Sequence, residues 1–200
     1  MKPLATCLIR GCFALALLAS TVRAGNYSAF SPDDLDQLSK GEAVVHVSED
    51  ATGKADAVIM AAINIPTSPA RLFALMLDCQ RSVQYVVGLK SCKVLEASPD
   101  GLSEIREHRS QWGALFPETV SVFRADYVLN REIKFERVRG DLRYLKGAWH
   151  MEPGSGGKTT RLTYESRIGV NIPMPSLLIR STLADDIKKL LMALRAEVQK

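Results

Sequence analysis

The last thirty residues constrain the fold most, because no glycine or proline interrupts them after Pro175. Apolar residues recur there every three or four positions and predict one apolar helix face: Leu183, Ile187, Leu190, Leu191, Leu194 and Val198. Pro175 suits the first helical position, where its missing N–H costs nothing. We therefore predict a helix from about Pro175 to Val198, roughly 35 Å long at 1.5 Å per residue. Such a helix needs a large apolar surface to cover.

The chain before this helix alternates apolar and polar residues with period two, which predicts strands. A short helix over 31–41 and a hairpin with strands over 42–49 and 57–65 come first, followed by two short helical pieces ending near Gly88. Six more strands are predicted over 93–97, 102–111, 118–129, 132–138, 143–151 and 161–171. This order predicts a curved antiparallel sheet whose concave side receives the long helix, with a cavity wherever side chains leave space.

The first 24 residues have the pattern of a secretory signal peptide. Lys2 and Arg10 precede an apolar run over 12–20, and the small residues Val22 and Ala24 indicate a cleavage site. The run is shorter than the roughly 20 residues that span a bilayer. We predict cleavage after Ala24, an N-terminal extension over 25–41 and one domain over 42–200; a retained N-terminal anchor is the alternative.

The charge balance changes when the leader is set aside. The chain has 26 basic and 22 acidic residues, and the leader holds three basic residues and no acidic one. The remaining 23 basic and 22 acidic residues nearly cancel, which gives no support to a nucleic-acid partner. We predict a soluble periplasmic protein that is a monomer.

Two cysteines, Cys79 and Cys92, lie outside the leader. In an exported chain an even pair favours a disulfide. The alternative is two buried free thiols, and a catalytic cysteine is disfavoured because no nearby histidine supplies a base.

Three segments carry a resemblance to a known family: "INIPTSPARLFALMLD", "YVVGLKSCKVLE", and "LKGAWHMEP" followed by "TRLTYESRIGVNIPMP". They resemble the START-like (SRPBCC) superfamily, which includes polyketide cyclase/dehydrase, lipid-transport and coenzyme Q-binding proteins. The resemblance implies an α+β helix-grip fold, with a curved antiparallel sheet around the C-terminal helix and an internal hydrophobic cavity. It further implies non-catalytic binding or transport of one hydrophobic small molecule or lipid under that helix, without a cofactor.

The last strands and the helix supply the candidate cavity wall, since residues two apart on a strand share a face. Ordinary core packing is the alternative for each residue. The candidates are Leu145, Gly147, Trp149, Tyr164 and Ile168 on the strands, and Leu183 and Ile187 on the helix.

A loop over 112–118 contains apolar residues where turn residues are expected. Because loops lie at the surface, Trp112, Leu115 and Phe116 are predicted to form one lip of a cavity mouth. The other lip would include Met174 and Leu178. Such a mouth could make transient contact with a membrane; a small satellite core under the loop is the alternative.

The strand over 102–111 carries charged residues on both faces. Glu107 and Arg109 are the candidates to bind a polar head group, while Glu104 and Arg106 could instead pair with each other. A solvated edge strand is the alternative for all four.

Two other functions stay open at this stage. One is an interaction module at the membrane surface that carries no ligand. The other is a cyclase or aromatase that uses Glu107, Arg109, His108 or Tyr164 as acid and base groups. A metal site is not predicted, because the three histidines lie on separate strands without ligand spacing.

Overall fold

The computed structural model describes residues 30–111, 118–171 and 174–200. The chain from Ser31 onward forms one compact unit. Its helices are α1 (Pro32–Ser39), α2 (Pro69–Leu77) and α3 (Ser176–Glu197), and its strands are β1 (Val44–Ser48), β2 (Ala57–Ile65), β3 (Leu89–Ala97), β4 (Ser103–Ser110), β5 (Thr119–Val128), β6 (Glu132–Gly140), β7 (Tyr144–Pro153) and β8 (Thr160–Gly169). The predicted signal peptide lies outside the described residues.

The described strands form one antiparallel sheet in the order β1-β2-β8-β7-β6-β5-β4-β3. Strands β3 to β8 follow one another as successive hairpins. The first hairpin joins the sheet through β2, which pairs with β8 over its whole length from Ala57 to Ile65. The curved sheet and the long C-terminal helix confirm the predicted helix-grip arrangement.

The long helix α3 packs on the first hairpin, against β1 and β2. Its apolar stripe is buried as the spacing predicts, with Leu191 and Leu194 fully inaccessible. Ile59 and Ile63 of β2, also fully buried, belong to the same core cluster. This contact defines the inner face of the sheet.

The short helix α1 covers the other face of the first hairpin. Ser31 caps it through a reciprocal pair of hydrogen bonds with Asp34. The Asp34 carboxylate also contacts the imidazole of His46 at 3.0 Å, and Asn64 of β2 donates to the carbonyl of Leu38 at 2.7 Å. Because His46 and Asn64 alternate with inward-facing residues, α1 lies on the outer face of the sheet.

Several element boundaries differ from the prediction by a few residues; strands β6 and β7, for example, end at Gly140 and Pro153 instead of 138 and 151. Two of the differences have a clear physical reason. Strand β3 begins at Leu89 instead of Lys93, because register shifts after Leu89 and Val94 break the period-two pattern of this edge strand. Helix α3 begins at Ser176, so Pro175 is the capping residue and not the first helical one.

The predicted disulfide between Cys79 and Cys92 is confirmed. It joins the segment after α2 to β3, with the two Cα atoms 5.4 Å apart. Both cysteines are buried beside Leu89 in a small cluster of their own. The bond therefore fixes α2 to the β3 edge of the sheet.

Candidate ligand site

Strand pairing shows which residues share the inner face. Trp149 of β7 pairs with Tyr164 of β8, and Leu145 pairs with Ile168. Tyr164 and Ile168 belong to the core cluster that includes the α3 stripe, and Leu145 and Trp149 pack against it half-buried. The four predicted wall residues of these strands thus lie on one face, toward the helix.

Aromatic side chains form a row across this face. The rings of Trp149 and Tyr164 are 4.2 Å apart, and Tyr164 stacks on Phe135 of β6 at 6.0 Å. Phe135 meets Phe123 of β5 edge-on at 6.4 Å, and Phe123 meets His108 of β4 at 4.9 Å. The row is a continuous wall of rings that is apolar from β7 and β8 to β5 and ends at the imidazole of His108 on β4.

Gly147 makes room for this row. It lies between Phe135 on β6 and Ser166 on β8 in the strand register. A Cβ atom at this position would lie 2.6 Å from both the Phe135 ring and the Ser166 Cβ. The glycine is therefore required for Phe135 to stack on Tyr164.

The candidates on α3 fall into two groups. Leu183 and Ile187 are buried and belong to the core. Leu178 is 50% exposed and its neighbour Leu177 is 73% exposed. Met174, just before the helix, packs half-buried against the core. The start of α3 therefore presents apolar side chains to solvent at the edge of the inner face.

The predicted lip residues Trp112, Leu115 and Phe116 lie outside the described residues. Strand β4 leads into that segment at Ser110, which pairs with Thr119 at the start of β5.

The predicted head-group residues Glu107 and Arg109 lie on the outer face. They alternate with His108, whose ring contacts the aromatic row. Arg109 donates to Glu107 at 3.0 Å and to Glu118 at 3.3 Å. The structure therefore separates these two charges from the inner face, because the alternation of β4 turns Glu104, Arg106 and His108 inward.

Arg106 is a buried ionic group with three hydrogen-bond partners. Its guanidinium pairs with Glu104 on the same strand and donates to the carbonyls of Met76 at 3.2 Å and Leu77 at 2.6 Å. The Arg106 side chain therefore caps the C-terminal end of helix α2 from inside the core. Tyr127 lies beside this pair, and burial raises the pKa of its phenol.

Three further polar groups lie on the inner face. His108 pairs with Ser121 across β4 and β5, and Arg137 of β6 pairs with Phe123. Burial, and secondarily the charge of Arg106, lowers the pKa of His108 to about 4. Sequence reasoning did not select Ser121 or Arg137. Ser121 lies two residues before Phe123, and Arg137 lies two residues after Phe135. Strand alternation therefore predicts both on the inner face once those rings are assigned to it.

A cavity of about 440 Å³ lies elsewhere, between α2 and the last turn of α3. Five of its eight lining residues are charged, and three of these are paired with one another: Glu197 accepts from Arg81 at 2.6 Å and from Lys200 at 2.7 Å. These hydrogen bonds lower the pKa of Glu197. This cavity is therefore poorly suited to an apolar ligand.

Among the helices that the structure describes, none has the length and apolar character needed to cross a bilayer.

The sequence matches the family model described as "Polyketide cyclase / dehydrase and lipid transport" over residues 65–195. The chain belongs to this family. The family contains both lipid-transfer and cyclase members. A search of curated protein sequences found no match.

Solved structures share the fold at low sequence identity. The STAR-related lipid transfer protein of Xanthomonas axonopodis is 14% identical with a TM-score of 0.65, covering 79% of this chain and 94% of that one. The lipid transfer and protein localization domain of human StarD13 is 13% identical with a TM-score of 0.62, covering 76% and 84%. The Zhui aromatase/cyclase of Streptomyces sp. R1128 is 10% identical with a TM-score of 0.58, covering 71% and 93%.

Proposed function

We propose that the protein is an exported, monomeric carrier that binds one hydrophobic small molecule or lipid, without catalysis, between the inner face of the sheet and α3. The aromatic row is the observation that carries this proposal. Ligand sites are concave and mostly apolar, with few polar groups. Leu145 and Trp149 on this wall are only half-buried, so packing within the protein leaves part of the wall uncovered.

Leu177 and Leu178 support a mouth at one end of this wall. Strand β8 ends at Gly169 beside the start of β7, and the turn before β7 follows the end of β6 at Gly140. Gly140 pairs with Ser121 near the start of β5. Ser110 at the end of β4 and Gly169 at the end of β8 therefore lie at the same end of the sheet. We infer that exposed leucines here make transient contact with a membrane from which the ligand is taken.

One feature supports transport over an enzymatic role, and a second supports export. Acid–base catalysis needs an acid or base within hydrogen-bond reach of the ligand. Arg106 binds Glu104 and the carbonyl at the end of α2, and Nε2 of His108 has no carboxylate or other hydrogen-bond partner within the described chain. The disulfide supports export, since such bonds persist in oxidising compartments.

Binding of an uncharged apolar dye, N-phenyl-1-naphthylamine, tests this function. We expect saturable one-to-one binding with increased dye fluorescence. Leu145→Trp fills the inner face and should weaken binding at least fivefold. Lys146→Trp adds the same ring at the adjacent, outward-facing position and should leave binding unchanged. An absence of saturable binding, or equal losses in the two variants, contradicts the proposal.

A further inference from the structure

Three polar side chains converge on the mouth end of the inner face: His108, Ser121 and Arg137. His108 and Ser121 are direct cross-strand partners, so their Cβ atoms are about 5 Å apart. Arg137 is the partner of Phe123, the ring that contacts His108. Its side chain turns back toward Gly140, which is the partner of Ser121. The three groups therefore surround one end of the aromatic row.

Two of these side chains have a buried polar atom that is unpartnered among the described residues. His108 Nε2 and Ser121 Oγ are shielded from solvent, and neither has a hydrogen-bond partner within the part of the chain that the structure describes. Buried polar atoms of proteins are nearly always hydrogen-bonded, and exceptions commonly mark a place for a ligand or water.

Arg137 brings a positive charge that no carboxylate among the described residues pairs with. Its Nε donates to the carbonyl of Leu142 and its Nη2 to the carbonyl of Gly140 at 2.9 Å, and both acceptors are uncharged. The nearby carboxylate of Asp141 accepts from the backbone N–H of Val120 at 2.7 Å. Arg137 makes no ion pair with any residue in the described ranges, whereas Arg106, the other inward arginine beside Phe123, is paired with Glu104.

We propose that His108, Ser121 and Arg137 bind the anionic head of the ligand, a carboxylate or a phosphate, while its apolar chain lies along the aromatic row. This inference rests on the proposed function and narrows the ligand to an acidic lipid.

The chemistry of the three groups fits such a head. Beyond its two bonds to carbonyls, the Arg137 guanidinium has further N–H donors. The Ser121 hydroxyl is a second donor group. Burial keeps the imidazole neutral, and in the Nε2–H tautomer that imidazole is also a donor. All three donate to anionic oxygens, and charge-assisted bonds of this kind are stronger than neutral ones. Glu107 and Arg109 cannot take this role, since they face away.

Binding of three ligands that share one chain tests the proposal: oleate, oleyl phosphate and oleyl alcohol, each by displacement of N-phenyl-1-naphthylamine. We expect at least one of the two acids to bind ten times or more tighter than the alcohol, and the better acid distinguishes carboxylate from phosphate. Arg137→Gln should reduce the affinity for that acid by about tenfold to a hundredfold, and affinity for the alcohol by less than threefold.

Arg139→Gln is the matched control, because Arg139 is exposed on the same strand. It should leave the affinities for the acid and for the alcohol unchanged. Ser121→Ala removes one donor with little risk to the fold and should lower acid affinity alone. Equal binding of alcohol and acids by the native protein overturns the proposal, as do equal losses in the Arg137 and Arg139 variants. Failure to bind the dye at all instead contradicts the proposed function.

Discussion

Arg106 of β4 donates a hydrogen bond of 2.6 Å to the carbonyl oxygen of Leu77, the last residue of α2. The same guanidinium pairs with Glu104. One buried side chain therefore joins the helix end to β4, the strand next to the β3 edge of the sheet, 29 residues away in sequence.

We predict that Arg106→Met lowers the free energy of unfolding by about 3 kcal/mol, because it leaves the buried Glu104 carboxylate unpaired. Urea unfolding measures this loss. Arg124→Met on the outer face is the control and should have little effect, because Arg124 and its partner Asp126 are both about half exposed. Equal losses in the two variants would show that the inner pair has no special structural role.

Reduction of the disulfide should also destabilise the protein. Cys79 and Cys92 are 13 residues apart, and closing a loop of this size contributes about 3 kcal/mol in the chain-entropy model. Thermal unfolding with and without a thiol reductant is the measurement. A double variant, Cys79→Ala with Cys92→Ala, should resemble the reduced protein and show no response to reductant. A native protein indifferent to reductant contradicts the prediction.

The buried imidazole of His108 predicts a specific pH dependence. Burial lowers the pKa of His108 from 6.5 to about 4 in the folded state, so the unfolded chain binds more protons between these values. The contribution of this group to the free energy of unfolding is therefore complete above about pH 6.5 and declines as the pH falls toward 4. From pH 7 to pH 5 the native protein should lose about 2 kcal/mol through this group.

His108→Leu should lack this component of the pH dependence. Urea unfolding of both proteins at pH 7 and pH 5 gives the difference, in which the acidic groups common to both cancel. Identical pH dependence in the two proteins would contradict a buried, neutral His108.

The exposed leucines at the start of α3 should affect exchange with membranes more than stability. We predict that Leu177→Ser with Leu178→Ser slows lipid pick-up from vesicles at least threefold, because insertion of both side chains contributes apolar contact. Met192→Ser is the control, since Met192 is 42% exposed on the same helix. Equal transfer rates in both variants would contradict membrane contact at the mouth.

The sequence was sufficient to predict the order of the elements. Period-two alternation and the helical spacing near Leu183 and Ile187 both come from one-sided burial, and the structure has that burial. The edge strand β3 was predicted too short, since its two bulges remove the alternation over 89–94.

The polar part of the candidate site was predicted less well. Alternation along β4 shows that Glu107 and Arg109 oppose Arg106 and His108, but not which set faces inward. That choice follows from the pairing of His108 with Ser121 and from the ring of Phe123, which are contacts between distant residues. A single strand of mixed charge carries no such information.

The central claim is that one hydrophobic ligand occupies the inner face of the sheet. The most direct test is a native mass spectrum of the protein purified from the cells that produce it, followed by extraction of any bound molecule. The account predicts a single adduct with the mass of one lipid, and an acidic lipid in the extract. A bare protein mass, with no adduct after incubation with a membrane lipid extract, would contradict it.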